Sequence, residues 1–222
     1  MKKSIFAIIA VAFVLICSSS AIAVPVNISG YVTADNFLWV WDNASSWTAL
    51  DTAESPGWRT GELVTESGNY GQANYLYFAV QNLVNTQYPE GGANPAAFLG
   101  SLTTPAGYFA ETGTNVLLSD TVHWDIYSDL SWVTSNGPGI DPTAVAGWGT
   151  PTSYGTTNVW GHISGIDPNA EWIWTANNAR VGMDNYAILR TQYTVAPVPE
   201  PATMSLLGMG VLGLLGLKRR KA

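Results

Sequence analysis

Two histidines, His123 and His162, and 16 carboxylates are the residues of this 222-residue chain that could move a proton or hold a metal. Neither histidine belongs to an H-x-x-x-H pair, and the lone Cys17 gives no cysteine pair for zinc. Each histidine therefore reads as an exposed or hydrogen-bonded strand residue. A nucleophilic serine on a G-x-S-x-G elbow is absent from the sequence. Glycoside hydrolysis needs two carboxyls about 5–10 Å apart across a cleft. Asp35, Asp42, Asp125 and Asp129 are available for that, but no spacing singles out a pair. With no phosphate-binding glycine loop or dinucleotide fingerprint either, the expectation is a protein that is not an enzyme.

Tryptophan points to binding instead. The chain has ten, more than a core of this size needs, because tryptophan is rarely fully buried. Indole faces stack on the C–H surfaces of sugars while neighbouring Asp or Asn side chains take the hydroxyls, so concave polar-aromatic patches suit carbohydrate. The candidate ligand-binding residues are Trp39, Trp41, Asp42, Asn43, Trp47 and Trp58, with Trp148 and Trp160 of the later loops as a second set. The competing reading makes each of these tryptophans a core residue or loop anchor.

Charge narrows the partners. Six of the nine cations lie near the two ends, at Lys2, Lys3, Lys218, Arg219, Arg220 and Lys221. Between Val24 and Val198 only Arg59, Arg180 and Arg190 stand against 15 acids, a net charge of −12. Such a surface repels nucleic acid and anionic lipid, which need basic patches. It also disfavours acidic polysaccharide unless a divalent cation such as calcium bridges the two. Arg180 and Arg190 each read as the partner of an acid.

The elements that must position these groups are strands. Helical periodicity is nearly absent, while short β-branched and aromatic runs recur between Gly, Pro, Asn and Asp. Strands are expected at 27–33, 37–41, 75–83, 96–103, 121–127, 158–163, 171–176 and 187–195. In the second of these, Phe37, Trp39 and Trp41 share one face, and Leu38 and Val40 the other. Residues 44–72, 85–95 and 131–157 read as loops. Gly139-Ile140-Asp141-Pro142 is nearly repeated by Gly165-Ile166-Asp167-Pro168; Asp before Pro suits a type I turn whose carboxylate caps backbone amides, and calcium ligation is the alternative. The class expected is an all-β sandwich.

Both ends of the chain read as addresses. Lys2-Lys3, an apolar run from Ile5 to Ile16, and Ala21-Ile22-Ala23 make a signal peptide over residues 1–23, cut after Ala23. The bulky Ile16 before Cys17 argues against lipidation, and an exported body without cysteine stands without disulfides. Residues 24–196 are then one domain of about 175 residues, long enough for a sizeable core. Residues 197–222 have three parts. Pro199, Glu200 and Pro201 form a stiff extended segment. The uncharged run 202–217 spans roughly 24 Å as a helix, a little under a bilayer core of about 30 Å. Lys218, Arg219, Arg220 and Lys221 stop transfer and hold that tip in the cytoplasm.

This order resembles the PEP-CTERM sorting signal. The resemblance implies recognition, and cleavage near Pro199-Glu200-Pro201, by an exosortase-type protease, with the protein held in the inner membrane until processed and then at the cell surface or outside. Hosts of that system commonly make extracellular polysaccharide and biofilm matrix. The body resembles a galactose-binding-domain-like jelly roll, on the segments Val32-Thr33-Ala34-Asp35-Asn36-Phe37, Tyr77-Phe78-Ala79-Val80-Gln81-Asn82 and Asn94-Pro95-Ala96-Ala97-Phe98-Leu99. Glu171-Trp172-Ile173-Trp174 and Ala187-Ile188-Leu189-Arg190 are similar to closing strands of such domains in proteins carrying this tail. The expected role is a non-catalytic, carbohydrate-contacting module of exopolysaccharide or biofilm matrix. The alternatives are a structural or adhesive matrix protein without a defined ligand, and last a secreted hydrolase.

Overall fold

A computed structural model describes residues 25–41, 46–51, 57–69, 71–82, 96–128, 133–134, 137–157, 160–176 and 186–196. The sorting residues Ala21, Ala23, 199–201 and 218–221, the apolar run 202–217, and Asp42, Asn43, Asp129 and Arg180 lie outside them.

The strands are β1 (Pro25–Ala34), β2 (Phe37–Trp41), β3 (Trp47–Asp51), β4 (Glu62–Asn69), β5 (Ala73–Gln81), β6 (Phe98–Thr103), β7 (Tyr108–Phe109), β8 (Val116–Leu118), β9 (Trp124–Tyr127), β10 (Val133–Thr134), β11 (Gly137–Pro138), β12 (Thr152–Ser153), β13 (Ile173–Trp174) and β14 (Tyr186–Ala196). They form two antiparallel sheets, one ordered β12-β13-β6-β1-β4 with β8 also on β6, the other β3-β2-β5-β14 with β7 and β9 on β14. The small β10-β11 pair stands apart. Among the described residues there is no α-helix, only 3-10 turns at Gly57–Arg59 and Pro142–Ala144. The protein is a β-sandwich.

Its path between the sheets is jelly-roll-like. β1 is in the first sheet, β2 and β3 in the second, β4 in the first, β5 in the second and β6 in the first. The corner from β1 to β2 is stitched to both sheets: Asp35 N–H donates to the Ala97 carbonyl at 3.2 Å, and Asn36 N–H to that of Gln81 at 3.0 Å. The chain also enters and leaves at one end. Pro25 pairs with Asn69, and Gly71 N–H donates to the Val195 carbonyl at 2.9 Å.

Period-two alternation builds the core. On β1, Val26, Ile28, Val32 and Ala34 are buried while Asn27 and Tyr31 face out. Gly30 is required in that row, since a Cβ there would collide with the Ser101 carbonyl oxygen of β6. Between the sheets, the rings of Phe78, Phe98 and Trp124 meet at 5.1–5.9 Å. Trp124 satisfies its indole N–H on the Leu118 carbonyl at 2.8 Å.

Each sheet also carries apolar residues on its outer face, which loops cover. Over the first sheet, Ile163, Ile166, Ala170 and Trp172 pack on Ala97 and Leu99. Over the second, Ile140 and Trp148 pack on Trp39, Tyr77, Ala79 and Ile188.

Several expectations need correction. Residues 44–72 are not loop throughout, because β3, the first 3-10 turn and β4 lie there. β4 escapes a sequence reading because it is an edge strand with one wet face: only Val64 and Gly68 are buried, among polar neighbours. The described part of 158–163 forms no strand. Gly161 takes a positive φ of 81°, and the segment crosses the outer face of the first sheet. The strand expected from Thr121 starts only at Trp124, since the Asp120 carboxylate accepts the Val122 and His123 amides at 2.8 and 2.6 Å and holds those residues in a bend. Likewise 171–176 shrinks to β13.

Candidate functional site

The outer face of the second sheet is aromatic where an exposed sheet face would ordinarily be polar. β2 presents Phe37, Trp39 and Trp41 there, opposite the buried Leu38 and Val40. Pairing then fixes the neighbours: Trp41 lies opposite Trp47 and Tyr77, Trp39 opposite Ala49 and Ala79, and Tyr77 opposite Arg190. The Trp41 and Trp47 rings meet edge to face at 5.3 Å.

Residues 138–149 cross this face and cover part of it. At one edge the Trp47 indole N–H donates to the Ile140 carbonyl at 2.8 Å. At the other, Ile126 and Gly149 exchange two backbone hydrogen bonds at 2.8 and 2.9 Å. Between them Trp148 packs on Tyr77 and Tyr127 at 6.0 Å each, and the Arg190 guanidinium lies 4.3 Å from its ring centre. The bend is made by Asp141-Pro142: the Asp141 carboxylate accepts the Thr143 amide at 2.8 Å and the Thr143 hydroxyl at 2.6 Å. Those two bonds favour the ionised form and lower the Asp141 pKa, so the group is an anion at neutral pH.

What stays open is a cleft of about 440 Å³ between Trp39, Trp41, Trp47 and Ala49 on the sheet and Pro138 to Asp141 on the covering segment, with Ser46 in its lining. Among the described residues its lining combines three indoles with Ser46 and Asp141, and holds no cation. Arg190 is held to the side, its Nε 2.8 Å from Asp125 Oδ2, as the pairing with an acid expected from the sequence.

Of the candidate ligand-binding residues, Trp39, Trp41 and Trp47 converge in this cleft. Trp58 does not. It belongs to the outer layer of the first sheet, stacked on Trp160 at 5.3 Å and 21°, with Arg59 5.1 Å from its ring centre. Trp160 in turn meets the buried Trp172 edge-on at 4.9 Å. Trp148 and Trp160 therefore sit on opposite faces of the sandwich and form no shared patch.

Ile140 and Asp141 line the cleft although neither is among the candidate ligand-binding residues; the Asp-Pro repeat shows their turn, with Asp141 as a candidate calcium ligand, but not its place on this face. The other copy makes the same local structure elsewhere. Asp167 accepts the Asn169 amide at 2.8 Å, and its own amide donates to Ser101 Oγ of the first sheet at 3.2 Å.

The remaining titratable groups are scattered. His123 Nδ1 lies 2.6 Å from Asp120 Oδ2, and His162 is exposed. Asp35 is buried at the β1–β2 corner, where its Oδ1 has no hydrogen-bond partner among the described residues. Burial pushes its pKa up to about 7. Among the described residues no group of three or more His, Cys, Asp or Glu side chains comes together to hold a metal ion.

Residues 197–221 match the PEP-CTERM protein-sorting motif. The class is thus an exported β-sandwich protein, and its tail directs it to exosortase for processing. No curated protein and no solved structure matches the chain. No helix among the described residues is long and apolar enough to cross a membrane, and the run 202–217 lies outside them.

Proposed function

We propose that the processed protein is a non-catalytic extracellular module that contacts carbohydrate through the cleft between β2, β3 and the 138–141 segment. The observation that supports this reading is the convergence of Trp39, Trp41 and Trp47 with the Asp141 carboxylate in one open cleft. Indoles offer faces for sugar C–H groups, and the carboxylate and Ser46 hydroxyl offer partners for sugar hydroxyls. Asp141 is already oriented by Thr143, so little ordering remains to be done on binding. The module would act in extracellular polysaccharide or biofilm matrix, with calcium as a bridge if the polymer is acidic.

The test is titration of the secreted protein with its host's extracellular polysaccharide, with calcium and then with chelator. Saturable binding that falls in Trp41→Ala supports the proposal.

A second reading is a matrix protein that self-associates without a defined ligand. It is favoured by the tryptophans that packing already uses, since Trp124 and Trp174 are fully buried between the sheets and Trp172 beneath the outer layer of the first sheet. Concentration-dependent assembly without glycan binding would be its signature.

A further inference from the structure

The outer face of the second sheet carries one more exposed ring that the cleft leaves unexplained. Tyr77 is the cross-strand partner of Trp41, and Tyr75 stacks on Tyr77 at 6.0 Å and 23°, so Tyr75 lies one strand and one pleat from the cleft. Tyr77 is buried, but Tyr75 is 43% exposed.

The groups around Tyr75 are fixed in place. Its hydroxyl donates to Gln192 Oε1 at 2.6 Å. The Arg190 guanidinium lies 5.2 Å from the Tyr75 ring centre and 4.3 Å from that of Trp148, while its Nε is bound to Asp125. A half-exposed ring with immobilised polar neighbours is a platform for one face of a sugar, and Gln192 and Arg190 supply donors at its edge.

We infer that Tyr75, Trp148, Arg190 and Gln192 form a second subsite for the ligand of the cleft, which rests on the carbohydrate reading above. The ligand is then an interior stretch of a polysaccharide chain that continues from Trp41 past Trp148 to Tyr75. It is a neutral polymer. Asp125 offsets the Arg190 charge, and Asp141 adds an anion at a cleft whose described lining holds no cation, so a polyanion is repelled along the path.

The test uses the secreted protein and fragments of the host's extracellular polysaccharide, separated by length and by charge. Affinity for neutral fragments rises from disaccharide to longer fragments by about tenfold, the worth of one aromatic platform. Tyr75→Ala removes that rise and leaves disaccharide binding unchanged. Tyr75→Phe keeps the ring without the Gln192 bond and retains most of the rise. Trp41→Ala weakens binding at every length. Affinity independent of length, equal loss at all lengths in Tyr75→Ala, or preference for anionic fragments without calcium overturns the subsite while the cleft stands. Absence of binding at every length overturns the cleft reading and this one with it.

Discussion

Trp47 donates its indole N–H to the carbonyl of Ile140, 93 residues further along the chain, at 2.8 Å. That bond ties the edge strand β3 to the segment that covers the outer face of the second sheet, and so closes one side of the cleft. Trp47→Phe keeps an aromatic ring and loses the donor. It is expected to lower stability by about 1 kcal/mol, the net worth of one hydrogen bond, and to weaken glycan binding by loosening the cleft wall. Chemical denaturation and titration of the same variant check both. Unchanged affinity would show that the covering segment does not shape the site.

Asp35 should make stability fall as pH rises. Its folded pKa of about 7 lies above the ordinary value of 3.8, so between these limits the folded chain holds a proton that the unfolded chain has released. Stability from this group is complete below the unfolded pKa and lost as pH rises through the folded one. The shift bounds the loss at about 4 kcal/mol. Asp35→Asn, uncharged throughout, should be flatter than the parent from pH 4 to 8 and more stable at the upper end. Denaturation midpoints across that range give the difference. A parent that gains stability relative to Asp35→Asn on going to pH 8 contradicts the assignment.

Trp58 and Trp41 should separate by phenotype. Trp58→Ala removes the stack on Trp160 in the first sheet's outer layer and should cost about 2 kcal/mol, less than for a fully buried ring, with glycan binding intact. Trp41→Ala should lose binding. Loss of binding in Trp58→Ala, at a temperature where it remains folded, would place the ligand on the other face.

The tail should act only in delivery. Replacing Pro199, Glu200 and Pro201 by alanine is expected to leave an unprocessed precursor, seen as a heavier species in the membrane fraction. Normal processing would show that another part of residues 197–221 is read.

The sequence made β2, β5 and β14 legible because each carries a run of residues buried on both faces, as Leu38 and Val40 inward and Trp39 outward on β2. β4 was hidden because its outward residues are solvated and its pairing lies in the register with β1. The cleft was half legible. Its indoles follow from strand periodicity, but Ile140 and Asp141 reach it through a contact that no local pattern records. The two Asp-Pro turns make the point: they share a local hydrogen-bond pattern, yet Asp141 borders the second sheet and Asp167 the first. Trp58 shows the same limit. Its residue type suits a sugar platform, and only the fold shows it stacked on Trp160 across the sandwich from Trp41.

The most direct measurement is calorimetric titration of the secreted protein with its host's extracellular polysaccharide, beside Trp41→Ala. The account predicts saturable binding by the parent and its loss in the variant, with the variant still unfolding cooperatively. A parent that binds nothing, with calcium or with chelator, or a variant that binds as the parent does, would contradict it.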